Sequence, residues 1–176
     1  SPPPPRPGSR YREAMTTTTQ QSKQGGARVR VPPPLVFAGF IAVAALVQHF
    51  LLRVTVPIPP APRFAVAAVF ALPGVALLAA ASRLFRQSGQ HPAPWKPSPS
   101  LVLAGPYRFT RNPMYLGMTL VTQGLAFALD DVWILAAAFA ALLVVHFTAV
   151  LPEEAYLRER FGESYTAYQA KVRRYL

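Results

Sequence analysis

Two blocks of this 176-residue chain hold side chains whose types and spacing could do chemistry. The first is Leu101–Gly117, LVLAGPYRFTRNPMYLG. Gly105-Pro106 is a turn signal, and Arg108 and Arg111 are spaced to share one face of a short helix. The residue before a proline leaves the helical region, and proline is favoured at a first helical position. Asn112 is therefore expected to cap a helix beginning at Pro113. Such a helix start offers free N–H groups and positive partial charge, which suits a carboxylate or a phosphate. The same residues would equally serve as a plain cap flanked by arginines that anchor to lipid head groups.

The second block is Pro152–Leu176, PEEAYLRERFGESYTAYQAKVRRYL. Pro152 is expected to start a helix, with Glu153 and Glu154 in its first turn, where acids favour the dipole. Tyr156, Leu157, Phe161, Tyr165, Tyr168, Val172 and Tyr175 then fall near helical spacing with charges between them. An amphipathic helix lying at a membrane interface would explain that stripe. It would not explain Glu153, because an acid directly after an apolar run needs a partner or a cation. Gly162 interrupts the pattern at about 1 kcal/mol relative to alanine, as close approach of a ligand would require.

The three histidines divide by setting. His146 lies inside an apolar run, about 10 Å from Glu153 at 1.5 Å per residue. An ionisable group there is either a functional base or one end of a helix-to-helix hydrogen bond. His49 reads as structural or interfacial, and His91 sits in a proline-rich loop. No His or carboxylate pair has metal spacing, so no metal site is expected. The chain has no cysteine, which removes disulfides, thiolate metal sites and a cysteine nucleophile. GxSxG, Walker and GxGxxG patterns are absent.

The elements that must position these groups are apolar. Residues are 52% hydrophobic and only 14% charged, against about a quarter charged in ordinary soluble domains. Four stretches stand out: Leu35–Leu52, Phe64–Ala81, Met114–Leu129 and Val132–Leu151. A bilayer core takes about 20 helical residues, and none of these runs alternates as a barrel strand would. The sequence therefore predicts an all-α integral membrane protein with four transmembrane helices and a C-terminal amphipathic cytoplasmic helix over residues 153–175. Asp130-Asp131 makes a tight turn, so the last two spans form a hairpin, and Pro73-Gly74 should kink the second.

Charge sets the orientation. Six Lys or Arg precede the first span (Arg6, Arg10, Arg12, Lys23, Arg28, Arg30). Five lie between the second and third spans (Arg83, Arg86, Lys96, Arg108, Arg111), and five follow the fourth (Arg158, Arg160, Lys171, Arg173, Arg174). Only Arg53 and Arg63 fall on the other side. By the positive-inside rule both termini and the middle loop are cytoplasmic. The net charge of +11 is thus mainly a topology signal with attraction to anionic membrane lipids, and no nucleic acid partner is expected. Residues 1–34 are low in complexity (PPPP, TTTT, QQ, GG, PPP) and are expected to form a disordered tail, leaving 35–176 as one membrane domain. Met15 before TTTTQQ reads as a start, placing Ser1–Ala14 upstream. The first apolar run is too long for a cleavable signal peptide.

The pairing of GPYRFTRNPMYLG with EEAYLRERFGESYTAY resembles the isoprenylcysteine carboxyl methyltransferase family and its bacterial relatives, which also resemble phospholipid N-methyltransferases. The family pattern is G-P-Y-R-x-x-R-H-P-x-Y-x-G, a membrane hairpin, then E-E-x-x-L-x-x-x-F-G-x-x-Y-x-x-Y; the similarity covers roughly residues 84–175. The resemblance implies a multi-pass enzyme, by its bacterial relatives of an inner membrane. Such an enzyme binds S-adenosylmethionine at the cytoplasmic face and methylates a lipophilic acceptor. It places cofactor contacts on Leu101, Val102, Tyr107, Asn112, Pro113, Met114, Tyr115 and Glu153. Two positions depart from the pattern. The usual His is Asn112 here, so titration at that position cannot be essential. The substrate-linked Arg of eukaryotic members, four residues before the acid, is Ala149, which argues against a prenylcysteine carboxylate as acceptor.

The residues agree with that chemistry. Arginines and a helix start can hold the cofactor's carboxylate, Glu153 its ammonium or a ribose hydroxyl, and tyrosines can flank the adenine or sulfonium. Methyl transfer is an in-line displacement, so alignment and desolvation supply most of the acceleration. A carboxylate or thiol acceptor entering from the bilayer needs no strong base, whereas an amine must first lose a proton. Arg111 and His146 are the candidate catalytic residues, His146 as the candidate base. Three other readings compete: a phospholipid or amine N-methyltransferase on the same scaffold, a non-catalytic lipid-binding membrane protein, and a nicotinamide-dependent reductase, for which no dinucleotide site is visible.

Overall fold

Proline opens each of the first three long helices in the computed structural model, which describes residues 26, 27, 29, 31–89, 96, 98 and 100–175. Its fixed φ and missing N–H suit a first helical turn. Helix α1, Pro33–Leu46, runs on into a π-helical turn, Val47–Leu51. Helix α2 is Pro60–Gln87, and α3, Pro113–Leu129, follows a 3₁₀ turn at Gly105–Arg108. Helix α4, Val132–Val145, passes through a second π-helical turn, His146–Val150, into α5, Leu151–Phe161. Helix α6, Glu163–Lys171, completes the set. The described residues contain no strand, only one isolated parallel bridge between Thr110 and Arg173.

Three segments are long and apolar enough to cross a membrane: Pro33–Leu51, Pro60–Gln87 and Val132–Phe161. Helix α3 is a shorter apolar helix of 17 residues, about 25 Å long. The molecule is an all-α membrane protein, as hydropathy predicts.

Hydropathy misjudges where two helices end. Helix α2 extends past 64–81 on both sides, taking in Arg63, Arg83 and Arg86. No residue there stops it until Ser88 and Gly89, whose φ of 67° suits a glycine beyond a helix end. The fourth apolar run and the predicted cytoplasmic helix are one continuous rod, Val132–Phe161. Pro152 does not begin a new helix. In the π turn the Leu151 N–H bonds to the His146 carbonyl, five residues back, so a residue without an N–H can follow without breaking an α ladder. The predicted helix over 153–175 also divides, at Gly162 (φ 52°, ψ −125°), and ends at Lys171. A Cβ on Gly162 would meet nothing within 4 Å. Its positive φ by itself calls for a glycine.

Packing follows side-chain size. Helices α2 and α3 make the most extensive contact, because Gly74, Gly117 and Gly124 let the backbones touch. A Cβ at Gly74 would lie 2.9 Å from the Gly117 carbonyl, and one at Gly124 would lie 2.7 Å from the Ala71 Cβ. Helix α1 covers α4, with Phe37 packed in a cluster that includes Tyr115, Val145 and Val150. The third and fourth helices join through Asp130, in the left-handed region at φ 59°, and Asp131, whose carboxylate accepts from the Trp133 and Ile134 N–H groups at 2.8 and 3.2 Å. Of the segment expected to be a tail, residues 1–25, 28 and 30 lie outside the described residues. Ala27 is buried and Val29 packs against the Phe37 cluster. His91 also lies outside the described residues.

Candidate functional site

The rod Val132–Phe161 is about 45 Å long, which exceeds a bilayer core of about 30 Å. Its far end can therefore carry Glu153 and Glu154 alongside the start of α3. A cavity of about 300 Å³ lies there. All eight residues singled out for cofactor contact line it: Leu101, Val102, Tyr107, Asn112, Pro113, Met114, Tyr115 and Glu153. Arg111 lines it too. His146 does not; its Nδ1 lies 2.9 Å from the Tyr175 hydroxyl. That bond ties the histidine to the segment after α6 and not to a facing helix, as the helix-to-helix reading would have it.

The two adjacent acids have opposite surroundings. Glu154 is 2% exposed and neutralised twice. Arg174 donates to it from Nε at 3.0 Å and Nη2 at 2.8 Å, and Arg111 Nη1 lies at 3.4 Å. Glu153 faces the cavity and accepts one hydrogen bond, from the Tyr115 hydroxyl at 2.8 Å. No cation pairs with it among the described residues. A carboxylate drawn out of water without a counter-charge is costly, and a positively charged ligand would relieve it.

Arg111 is the reverse case. Its Nε is buried and has no hydrogen-bond partner among the described residues. That nitrogen is enclosed rather than open to the cavity, and the guanidinium end is paired with Glu154 through Nη1 at 3.4 Å. The cavity therefore offers one carboxyl group, Glu153, with no counter-charge among the described residues. An unpaired carboxylate on that wall suits a positively charged ligand group.

Asn112 occupies the capping position of α3, but its side chain does not cap. Its Nδ2 donates 3.0 Å to the Arg174 carbonyl instead. The same carbonyl accepts from Thr110 Oγ1 at 3.1 Å, and the Arg111 N–H bonds to the Arg173 carbonyl at 2.9 Å. The chain after Lys171 thus straps down the motif, and pairing along this strap wins over the expected cap. Arg108 and Arg111 do not share a short helix, since the 3₁₀ turn ends at Arg108.

The tyrosine stripe faces inward. Tyr156, Leu157, Tyr165 and Tyr168 line the cavity, so the interfacial reading of those four gives way. Tyr168 donates to the Tyr107 carbonyl at 2.7 Å, and Tyr165 bonds to Arg111. Burial, and then the charge of Glu153, pushes the Tyr107 hydroxyl far above its usual range. Burial and Glu154 push Tyr165 up to about 12, and burial raises Tyr168 as well. All three stay protonated at neutral pH, where they offer donors and ring faces rather than bases. Tyr107 is held edge-on to Phe85, 5.8 Å between centroids.

Sequence reasoning missed Arg174 and the pairing role of Glu154. The one available signal was that an acid with no neighbour to neutralise it locally must find a distant cation. It also missed Ser98, Ser100, Met118, Phe85, Pro33 and Pro34 in the cavity wall. These come from four separate segments, and no spacing rule relates them.

A comparison with curated proteins gives no match. The sequence profile of the phospholipid methyltransferase family matches residues 64–164, which include most of α2, the Gly105–Gly117 motif, the α3–α4 hairpin and both acids. With more than half of its length matched across the elements that build the cavity, the chain belongs to the phospholipid methyltransferase family and is a membrane methyltransferase.

Proposed function

We propose that the protein transfers a methyl group from S-adenosylmethionine to a lipophilic acceptor at the cytoplasmic face of its membrane. The observation that carries this reading is Glu153, a cavity-lining carboxylate whose only described hydrogen bond comes from Tyr115. Glu153 would hold the ammonium of the cofactor, Arg111 its carboxylate, and the rings of Tyr107, Tyr156 and Tyr168 its adenine or sulfonium side. When bound, the cofactor supplies an activated methyl group for in-line displacement. The protein's part is to align the acceptor and exclude water, with Leu101, Val102, Met114 and Met118 forming an apolar wall.

The acceptor is a carboxylate or thiol of a small or lipidated molecule that enters from the bilayer. Among the described residues no histidine lines the cavity, and the Tyr107, Tyr165 and Tyr168 hydroxyls hold their protons, which suits an acceptor already deprotonated at neutral pH. A second reading, phospholipid or amine N-methylation, is favoured by the family description, and it requires Glu153 or a water to take the amine proton. Both termini and the loop between α2 and α3 would be cytoplasmic, in a bacterial inner membrane. Reporter fusions after Arg86 should then read cytoplasmic and fusions at Asp130 external.

The deciding experiment is labelled-methyl transfer from S-adenosylmethionine into a total lipid extract by detergent-purified protein, with the product identified by mass. A methyl ester or thioether supports the first acceptor class, and an N-methylated head group selects the second. Absence of any labelled product, together with absence of S-adenosylhomocysteine binding, leaves a lipid-binding membrane protein as the surviving reading.

A further inference from the structure

Around the bundle α2 packs on α3, α3 on α4 and α4 on α1, whereas α1 and α2 barely meet among the described residues. One face of α3 floors the gap between them. At about 100° per residue, Met114, Met118, Val121 and Leu125 fall within about 60° of one another on that helix. Met118 packs on the cluster around Phe37 of α1, and a Cβ on Gly74 of α2 would stand 2.9 Å from Val121 Cγ2. The four side chains therefore lie between the two flanking helices, and all four are only half-buried. Met114 and Met118 also line the cavity, together with Pro33 and Pro34 from the start of α1 and Phe85 from the end of α2. Groove and cavity are thus continuous. From Met114 to Leu125 the stripe runs about 16 Å, half of a bilayer core about 30 Å thick, which is the depth of one leaflet.

We propose that this groove holds the apolar chain of the acceptor, a long-chain amphiphile of the cytoplasmic leaflet whose reacting head lies in the cavity beside Met114. The inference rests on the methyl-transfer reading above. It narrows the acceptor from small or lipidated molecules to those whose chain is long enough to follow the stripe. A chain cannot pass between α2 and α3, where the backbones touch at Gly74 and Gly117. Lipid tails are as apolar as the groove, so burial in it adds little by hydrophobicity alone. The hold on the chain comes from its tether, because a head bound in the cavity keeps its own chain at high effective concentration along the stripe. Methionines at the two positions nearest the head suit that task, since an unbranched thioether adapts its shape to what lies against it.

The test is photo-cross-linking on full-length protein in lipid nanodiscs, with labelled peptides read by mass. The probes are palmitic acid and hexadecylamine, so that acidic and amine heads are both covered. Each is made with a diazirine near the head and, separately, near the chain end. Leu116, Leu120 and Phe127 form a half-buried stripe on the opposite flank of α3 and serve as the internal reference. With at least one head group, the chain-end probe should label Val121 and Leu125 over that reference by about 10-fold, and the head-end probe should favour Met114 and Met118. Leu125→Trp fills the far end of the groove and should cut chain-end labelling at Val121 by about 5-fold. If that variant does not fold, the wild-type map decides. Equal labelling of the two flanks with both heads, or a map unchanged by a folded Leu125→Trp protein, overturns the inference. Binding of S-adenosylhomocysteine to the wild type, measured by titration calorimetry, tests the methyl-transfer reading separately. Equal labelling in a protein that binds it overturns the groove alone. If it does not bind, that reading fails and the inference with it, whatever the labelling.

Discussion

The molecule holds an arginine against a carboxylate at both ends of its helical bundle, and the two ends are built differently. At the hairpin end Arg63 meets Asp130 at 2.6 Å. The remaining Asp130 acceptors go to the Val56 N–H at 2.9 Å and, through its backbone carbonyl, to Gln48 Nε2 at 3.3 Å. Gln48 Oε1 accepts from the Val54 N–H, and the Trp133 indole donates to the Leu52 carbonyl. Arg63 Nε also lacks a partner among the described residues, but the guanidinium lies over the Phe64 ring, 5.6 Å from its centroid. At the motif end Glu154 is closed in the same manner, whereas Glu153 opens onto a cavity with no cation paired to it among the described residues. The teaching is that an arginine–carboxylate pair says little about function. What marks a site is the charge left over beside a space that a ligand can fill.

The largest effect that would break this contrast belongs to Glu153. Glu153→Ala should weaken S-adenosylhomocysteine binding by about 100-fold, as expected when one partner of a desolvated charge contact is removed. Asp130→Asn should leave that affinity unchanged. Equal responses, read by titration calorimetry, would make the two ends equivalent and remove Glu153 from the site.

Tyr115→Phe sharpens the same contrast at a smaller scale. Its hydroxyl gives Glu153 the one hydrogen bond described for that carboxylate, and a bond to a charged group is worth about 1.5–3 kcal/mol. Binding should fall by about 10-fold. A fall as large as that of Glu153→Ala would mean that the hydroxyl itself touches the ligand.

His146→Gln tests a side chain that shares the motif end but not the cavity. Methyl transfer should change by less than about 3-fold, because its ring bonds to Tyr175 and not to a cavity group. A loss of about 100-fold in turnover at unchanged cofactor affinity would restore the histidine as the base for an amine acceptor.

The smallest effect is expected at Asp130. Burial works to raise its carboxyl, but hydrogen bonds from Arg63 and the Val56 N–H hold it below the ordinary carboxylate range. A group held low stabilises the fold above its unfolded value, and the benefit disappears as pH falls through its folded value. Asp130→Asn keeps a residue that tolerates the left-handed backbone, so it should lower the melting temperature at pH 7 by about 2 °C or less. That difference should vanish in acid below the usual carboxylate range. A difference that persists there would assign the effect to the backbone and not to the ion pair.

Much of this architecture is legible in the sequence, for reasons that also explain the failures. Runs such as Val132–Leu151 announce themselves by hydropathy, and Asp130-Asp131 announces a turn because one aspartate tolerates φ of 59° and the next caps. The two motif blocks could be paired because each carries a dense local pattern. Helix ends were misjudged where polar residues simply continue a helix, as at Arg83 and Arg86 in α2. Pro152 misled because only a wider preceding turn makes its missing N–H harmless, and that turn has no sequence signature. The contact between Arg174 and Glu154 joins positions twenty residues apart in sequence across a glycine break, so no helical periodicity foretells it. The tyrosine stripe was visible, but the same spacing serves an interface and a cavity wall alike.

The glycine contacts between α2 and α3 bear on how this protein tolerates sequence variation. In a comprehensive substitution library, Gly74, Gly117 and Gly124 should be depleted almost as deeply as Glu153, although none of the three lines the cavity. Each added methyl group would meet a neighbouring atom at 2.9 Å or less, and at all three positions that neighbour includes backbone, which cannot swing aside as a side chain does. Intolerance at Glu153 would reflect lost ligand contacts in well-folded protein, whereas intolerance at the glycines would reflect low abundance. Scoring the library for abundance as well as for methyl transfer would separate the two groups. Ranked by transfer alone, the glycines would masquerade as active-site residues.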